Sequence, residues 1–214
     1  MAKTPPKIES FTSYFEAAKE TSARLMVILH GLGDSLDGFR WFPGALSLGR
    51  QNYLMINAPL PYDEGFAWYE EEPDPVPDIL RGRARLGNLL AELTEQGWEG
   101  KNIVLLGFSQ GCLMATDFAL RYEKPLMGVI GISGYIYFPN SLAEEIHPSA
   151  KKQAWLITHG KFDTVLPPDR TRKQISRLSH MGIKIEWAEF PKAHAIDAGD
   201  ELALIRDWIF RHGY

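Results

Sequence analysis

Cysteine occurs once in the 214 residues, as Cys112. An intrachain disulfide is therefore excluded, and nothing argues for an oxidising compartment. No apolar run reaches the length of a membrane span. The opening Met-Ala-Lys-Thr-Pro-Pro lacks the apolar core of a signal peptide, so a cytoplasmic location is the expectation. There is no dense block of Lys or Arg, and the formal net charge is -4. A nucleic-acid backbone is thus not an expected partner. No repeat and no low-complexity tract interrupts the chain. No group of His, Cys and acids has zinc-like spacing, so neither a metal nor a cofactor is expected. No heptad pattern is present either, which leaves monomer and homodimer both open.

What is present is an ordinary globular balance, 45% hydrophobic and 23% charged. The length suits one domain spanning 1–214. Short apolar runs cover residues 23–30, 53–57, 103–107, 127–133, 154–159 and 183–190. Each is bounded by Gly, Pro or polar residues, as strands buried on both faces are. Residues 8–15 add an antiparallel edge. Helical patterns fall between the runs, at 79–96, 110–122, 168–181 and 200–211. The first carries Ile79, Leu86, Leu90 and Leu93 on one stripe and stops at Gly97. Strands alternating with helices give the α/β class, with a mostly parallel sheet. Residues 70–78 break the rhythm with three prolines and five acids. They read as a solvated loop, or as a rim over a site.

Gly107-Phe108-Ser109-Gln110-Gly111 matches Gly-x-Ser-x-Gly. Composition alone gives roughly 0.09 such matches by chance, so position must carry the reading. The motif ends a predicted strand and opens a predicted helix. A serine raised on so tight a turn has a strained backbone. Side chains two residues before and after it would collide, so glycine is needed there. The following helix aims its N-terminus at the reacting centre. Together these features predict an α/β-hydrolase fold with Ser109 as nucleophile.

A serine hydroxyl needs an adjacent base. In this fold the acid and then the histidine follow the serine. His194 lies just beyond the last predicted strand, at the end where open α/β sheets bind ligands. His180 falls on a helix and His212 in the tail, both read as surface residues. Asp163 follows the 154–159 strand and is the preferred acid. Asp169 reads as a helix cap and Asp117 as part of a solvated helix face. Backbone N–H groups of Gln110 and Leu32 are the expected oxyanion donors. His30 and His159 read as structural, and Cys112 as a small buried residue under the turn. An apolar acyl pocket draws its candidates from Leu36, Phe39, Phe66, Trp68 and Leu166. The acids at 70–74 are expected to disfavour anionic substrates near the mouth.

The order of His30-Gly-Leu-Gly-Asp34, Ala67-Trp-Tyr69, Gly107-Phe-Ser-Gln-Gly111, His159-Gly-Lys-Phe-Asp163 through Leu166-Pro167, and His194 resembles the phospholipase/carboxylesterase family. That group of small serine hydrolases includes acyl-protein thioesterases and bacterial carboxylesterases. The resemblance implies a cofactor-free esterase or thioesterase; a small substrate with a short or medium acyl chain is the default expectation. It implies a triad of Ser109, Asp163 and His194, and oxyanion donors Leu32 and Gln110. It further implies that Trp68 and Leu166 border the acyl site. A lysophospholipase, a peptidase or a catalytically silent binding protein on the same scaffold are the rival readings. One departure concerns packing: the family commonly has a glycine where Cys112 stands, which questions how closely that helix approaches the sheet.

Overall fold

Among residues 4–213, which the computed structural model describes, lie nine strands and six α-helices. Residues 1–3, part of the leader reading, and residue 214, the end of the expected domain span, lie outside the described residues. The strands are β1 Ser13–Glu16, β2 Leu25–Leu29, β3 Asn52–Ile56, β4 Leu60–Tyr62, β5 Gly65–Ala67, β6 Ile103–Phe108, β7 Gly128–Ile132, β8 Ala154–Gly160 and β9 Glu186–Phe190. The helices are α1 Phe42–Leu46, α2 Val76–Glu95, α3 Gln110–Arg121, α4 Leu142–Glu145, α5 Pro168–His180 and α6 Asp200–Gly213.

Seven strands form one sheet in the order β1-β3-β2-β6-β7-β8-β9. Every neighbouring pair is parallel except β1 with β3. The antiparallel edge expected at 8–15 is thus present as β1. Alternate side chains of a strand face opposite sides of a sheet. Accordingly Leu25, Val27 and Leu29 enter one core with Leu86, Leu90, Leu113 and Leu178, while Met26 and Ile28 enter the other with Phe42, Leu202, Ile205 and Trp208. Helices α2, α3 and α5 therefore cover one face, and α1 and α6 the other. Both faces being dry explains why the central strands read as unbroken apolar runs.

Helix α2 begins at Val76, inside the stretch read as a loop. Pro77 sits in its first turn, where a missing N–H is not felt. The Asp78 carboxylate accepts the Glu70 N–H and pairs with Arg81, folding the acidic strap back on the helix. Residues Glu70, Glu71, Glu72 and Asp74 are exposed.

Helix α3 corrects one expectation. Every residue from Gln110 to Leu120 is buried, Asp117 included. Asp117 is no surface acid: it is fully buried between Arg83 at 2.8 Å and Arg121 at 2.6 Å. A helix laid under α2 and against the sheet has no solvated face, so its one carboxylate needs cationic partners. Burial pushes the Asp117 carboxyl above the usual range, and the two guanidiniums oppose that shift.

Cys112 is fully buried, as expected. Room for it comes from β7 and the residues just after it. A Cβ built on Gly131 would lie 2.6 Å from Cys112 Sγ, and one on Gly134 would lie 2.4 Å from its Cβ. The glycine absent from the helix is matched by glycines opposite it. Burial pushes the thiol up to about 12.

Candidate active site

The elbow is built as its glycines require. Ser109 has φ 54 and ψ -117, a strained conformation for a non-glycine residue. A Cβ on Gly107 would lie 2.1 Å from Gly111 O, and one on Gly111 would lie 2.2 Å from Leu29 O. No side chain fits at either position. The Ser109 N–H donates to Ile132 O at 3.0 Å, tying the turn to β7.

His194 and Asp163 converge on this serine from two later loops. His194 Nε2 is 3.0 Å from Ser109 Oγ, and His194 Nδ1 is 2.8 Å from Asp163 Oδ2. An ionised carboxylate accepts only, so Nδ1 carries the proton and Nε2 is left to accept from the serine hydroxyl. Asp163 Oδ1 accepts the N–H groups of Val165 and Leu166 at 3.0 and 2.8 Å. These bonds fix the carboxylate plane. The Phe108 ring, 5.1 Å from the His194 ring, backs the imidazole.

Asp169 does not join the site. It lies in the first turn of α5, three-quarters exposed, and pairs with Arg172 at 2.6 Å. Nor does it cap the helix, since Pro167 holds the cap position without a side-chain bond. His180 and His212 are exposed on the last turns of α5 and α6. His30 and His159 are buried. His30 Nε2 accepts the Ala58 N–H at 3.0 Å while Nδ1 donates to Gly31 O at 2.6 Å. His159 Nε2 donates to Leu166 O at 2.7 Å and stands 3.4 Å from Asp163 Oδ2. Burial holds both imidazoles below the usual histidine range. Each is therefore neutral and fastens a loop that borders the cleft.

The residues from His30 to Asp34 lie directly against the elbow. A Cβ on Gly31 would come within 3.2 Å of Ser109 Cβ. A hairpin of β4 and β5 that sequence reasoning missed clamps this loop from outside. Gly33 N–H donates to Phe66 O, and Phe66 N–H to Asp34 O, both at 2.9 Å. A Cβ on Gly65 would lie 2.2 Å from Gly33 O. Gln110 opens α3, so its N–H has no partner within the helix. Its side chain accepts the Trp68 N–H and donates to Tyr69 O, each at 3.0 Å.

A cavity of about 260 Å³ opens beside Ser109, lined by Leu32, Tyr69, Phe108, Tyr135, Leu166 and His194 among others. Leu166 lines this cavity. Trp68 does not. Its indole is fully buried and donates to His30 O at 2.9 Å, one layer behind the loop. The neighbouring Tyr69 is what reaches the cavity, its hydroxyl 3.1 Å from that of Tyr135. Leu36 and Phe39 belong to the core under α1, and Phe66 packs against the opposite core. None of these three lines the cleft. Glu71 does line it, so one carboxylate of the strap stands at the rim. Among the described residues no group of three or more His, Cys, Asp or Glu is placed to hold a metal ion. No helix there is long and apolar enough to cross a membrane.

Comparison with known proteins gives the family and the fold. The family described as Phospholipase/Carboxylesterase matches residues 12–212. Acyl-protein thioesterase 1 of Yarrowia lipolytica is 24% identical over 90% of this chain and 93% of its own. Carboxylesterase SOBER1 of Arabidopsis thaliana is 25% identical over 88% and 91%. The crystal structure of the Bacillus cereus carboxylesterase superposes with a TM-score of 0.82 at 16% identity, covering 94% of each chain. At that identity the superposition speaks for the fold alone. The chain belongs to the phospholipase/carboxylesterase family, hydrolases of carboxylic esters on the α/β-hydrolase fold.

Proposed function

We propose that this protein is a serine carboxylesterase that cleaves short- to medium-chain carboxylic esters or thioesters through an acyl-enzyme on Ser109. The observation that carries this reading is the unbroken chain of hydrogen bonds from Asp163 through His194 to Ser109 Oγ. In it, Ser109 attacks the acyl carbonyl carbon while His194 Nε2 takes its proton. Asp163 holds the tautomer and stabilises the imidazolium. The N–H groups of Leu32 and Gln110 receive the oxyanion. His194 then returns the proton to the departing alkoxide or thiolate. Water, deprotonated by His194, attacks the acyl-enzyme and frees the acid and Ser109.

The size of the cavity, about 260 Å³, favours short and medium acyl groups over long ones. The Glu71 carboxylate at the rim disfavours an anionic group there, an effect that added salt should weaken. Thioester cleavage draws support from the relatives named acyl-protein thioesterase. Comparing p-nitrophenyl esters, acyl-thioesters, lysolipids and peptides separates these substrates. The mechanism is tested by labelling with a fluorophosphonate probe. Labelling of the wild type that vanishes in Ser109→Ala is expected, and labelling that survives in the mutant overturns the assignment. A protein with an intact triad that takes up no probe and cleaves none of these substrates would favour the silent binding protein instead.

A further inference from the structure

In the loop that presents His194, no apolar side chain of residues 190–195 is buried. Residues 190–195 make two tight turns instead, with Lys192 N–H donating to Phe190 O at 2.8 Å and Ala195 N–H to Ala193 O at 2.9 Å. Beneath them lies an ion pair that nothing in the acyl-transfer mechanism uses. The Lys192 side chain is 7% exposed and that of Glu201 is wholly buried. Lys192 Nζ donates to both carboxylate oxygens of Glu201, at 2.6 and 2.7 Å, and to Ala195 O at 2.6 Å. It also reaches Ser133 Oγ at 3.2 Å. Glu201 in turn accepts the Asp197 N–H at 2.8 Å.

One ammonium thus ties three pieces together. Through Ala195 O it closes a ring of contacts around His194. Through Ser133 it reaches the end of β7, whose Ile132 O receives the Ser109 N–H. Through Glu201 it is anchored to the first turn of α6. The net stability of such a buried pair is small, because desolvation offsets the attraction, and apolar replacements of similar volume are often as stable. Its effect is therefore better sought in geometry, where a misplacement of about 1 Å costs on the order of 100-fold in rate.

We infer that Lys192 and Glu201 are positioning residues: their buried ion pair sets the distance between His194 and Ser109. This rests on the esterase reading only for its kinetic consequence. The test replaces both charges at once, as Lys192→Met with Glu201→Met, so that no unpaired charge is left buried. Thermal unfolding, hydrolysis of a p-nitrophenyl ester and the downfield Nδ1–H resonance of His194 are measured on wild type and variant. The expected result is a near-native melting temperature, a kcat lowered about 100-fold with KM little changed, and a broadened or lost resonance. A folded variant with wild-type kcat and resonance overturns the proposal. Should the double variant not fold, Glu201→Gln keeps the shape but loses one acceptor. It must then lower kcat without raising KM, and an unchanged kcat overturns the proposal equally. If the wild type shows the resonance but takes no fluorophosphonate, the esterase reading fails, and the resonance comparison alone decides the positioning.

Discussion

Asp163 Oδ2 stands 2.8 Å from His194 Nδ1, while Asp169, six positions on, faces solvent against Arg172. The two carboxylates share a stretch of chain but not a role. Asparagine at 163 would keep the volume but no longer impose the Nδ1–H tautomer. Asp163→Asn is expected to lower kcat by about 10⁴. Asp169→Asn should leave kcat unchanged, since an exposed pair of this kind contributes at most about 1 kcal/mol. Steady-state kinetics on the two variants check the assignment, and the reverse order would overturn it.

Acid sensitivity follows from the two buried imidazoles. His30 and His159 are held below the usual histidine range, chiefly by burial. As pH falls past about 6.5, the unfolded chain takes up these protons before the native state does. Their neutral forms therefore cost nothing at higher pH, and stability declines as pH drops through that value towards the lower folded pKa values. Urea midpoints measured from neutral to mildly acidic pH should show the decline. His30→Gln should make it shallower.

Removing the buried carboxylate of Asp117 leaves two guanidiniums without their anion. Arg121 would keep Glu145, at 2.5 Å, but Arg83 has no second carboxylate partner among the described ion pairs. Asp117→Ala should destabilise the fold by about 3–5 kcal/mol, as expected when one partner of a buried pair is lost. The proposed chemistry should survive, because none of Ser109, Asp163 and His194 pairs with this residue. Urea unfolding together with fluorophosphonate labelling per folded molecule separates the two effects.

A complementary cycle tests the packing of α3 on β7. Gly131→Ala would drive a methyl group to 2.6 Å from Cys112 Sγ. Overpacking of this kind costs about 1–3 kcal/mol. Cys112→Ala removes the sulfur and should relieve much of that cost in the double variant. The expected coupling energy is stabilising and is read from a double-mutant cycle of unfolding free energies. Additive losses would show that the two positions do not meet.

The order of strands and helices was legible because each central strand is a continuous apolar run with a clear stop. The proposed nucleophile, acid and base were legible because each follows a strand, Ser109 after β6, Asp163 after β8 and His194 after β9. The rest was hidden for different reasons. The β4–β5 hairpin has three-residue strands, one of which contains Pro61, too short for any periodicity to register. Trp68 is an acyl-pocket candidate by its apolar bulk and by resemblance, whereas that bulk fills the layer behind, and Tyr69 lines the cavity. The burial of Asp117 had a signal in the apolar character of residues 112–120, where only Thr116 and Asp117 are polar. That pattern belongs to a helix covered all round, and it outweighs the usual preference of aspartate for water. The Lys192–Glu201 pair had none, since a lysine in a loop and a glutamate opening a helix both look solvated until the fold brings them together.

The clamp between Gly33 and Phe66 has a kinetic meaning. Two hydrogen bonds join the β4–β5 hairpin to the proposed oxyanion loop, so a displacement of one is passed to the other. The hairpin runs on through Trp68 into Tyr69, which walls the cavity. If an acyl chain longer than the cavity pushed that wall outward, the Leu32 N–H of the proposed oxyanion hole would be drawn from the carbonyl oxygen with it. Acyl-length selectivity would then be expressed in turnover more than in affinity: overlong substrates would still bind, but would wait at a centre that their own entry has misaligned.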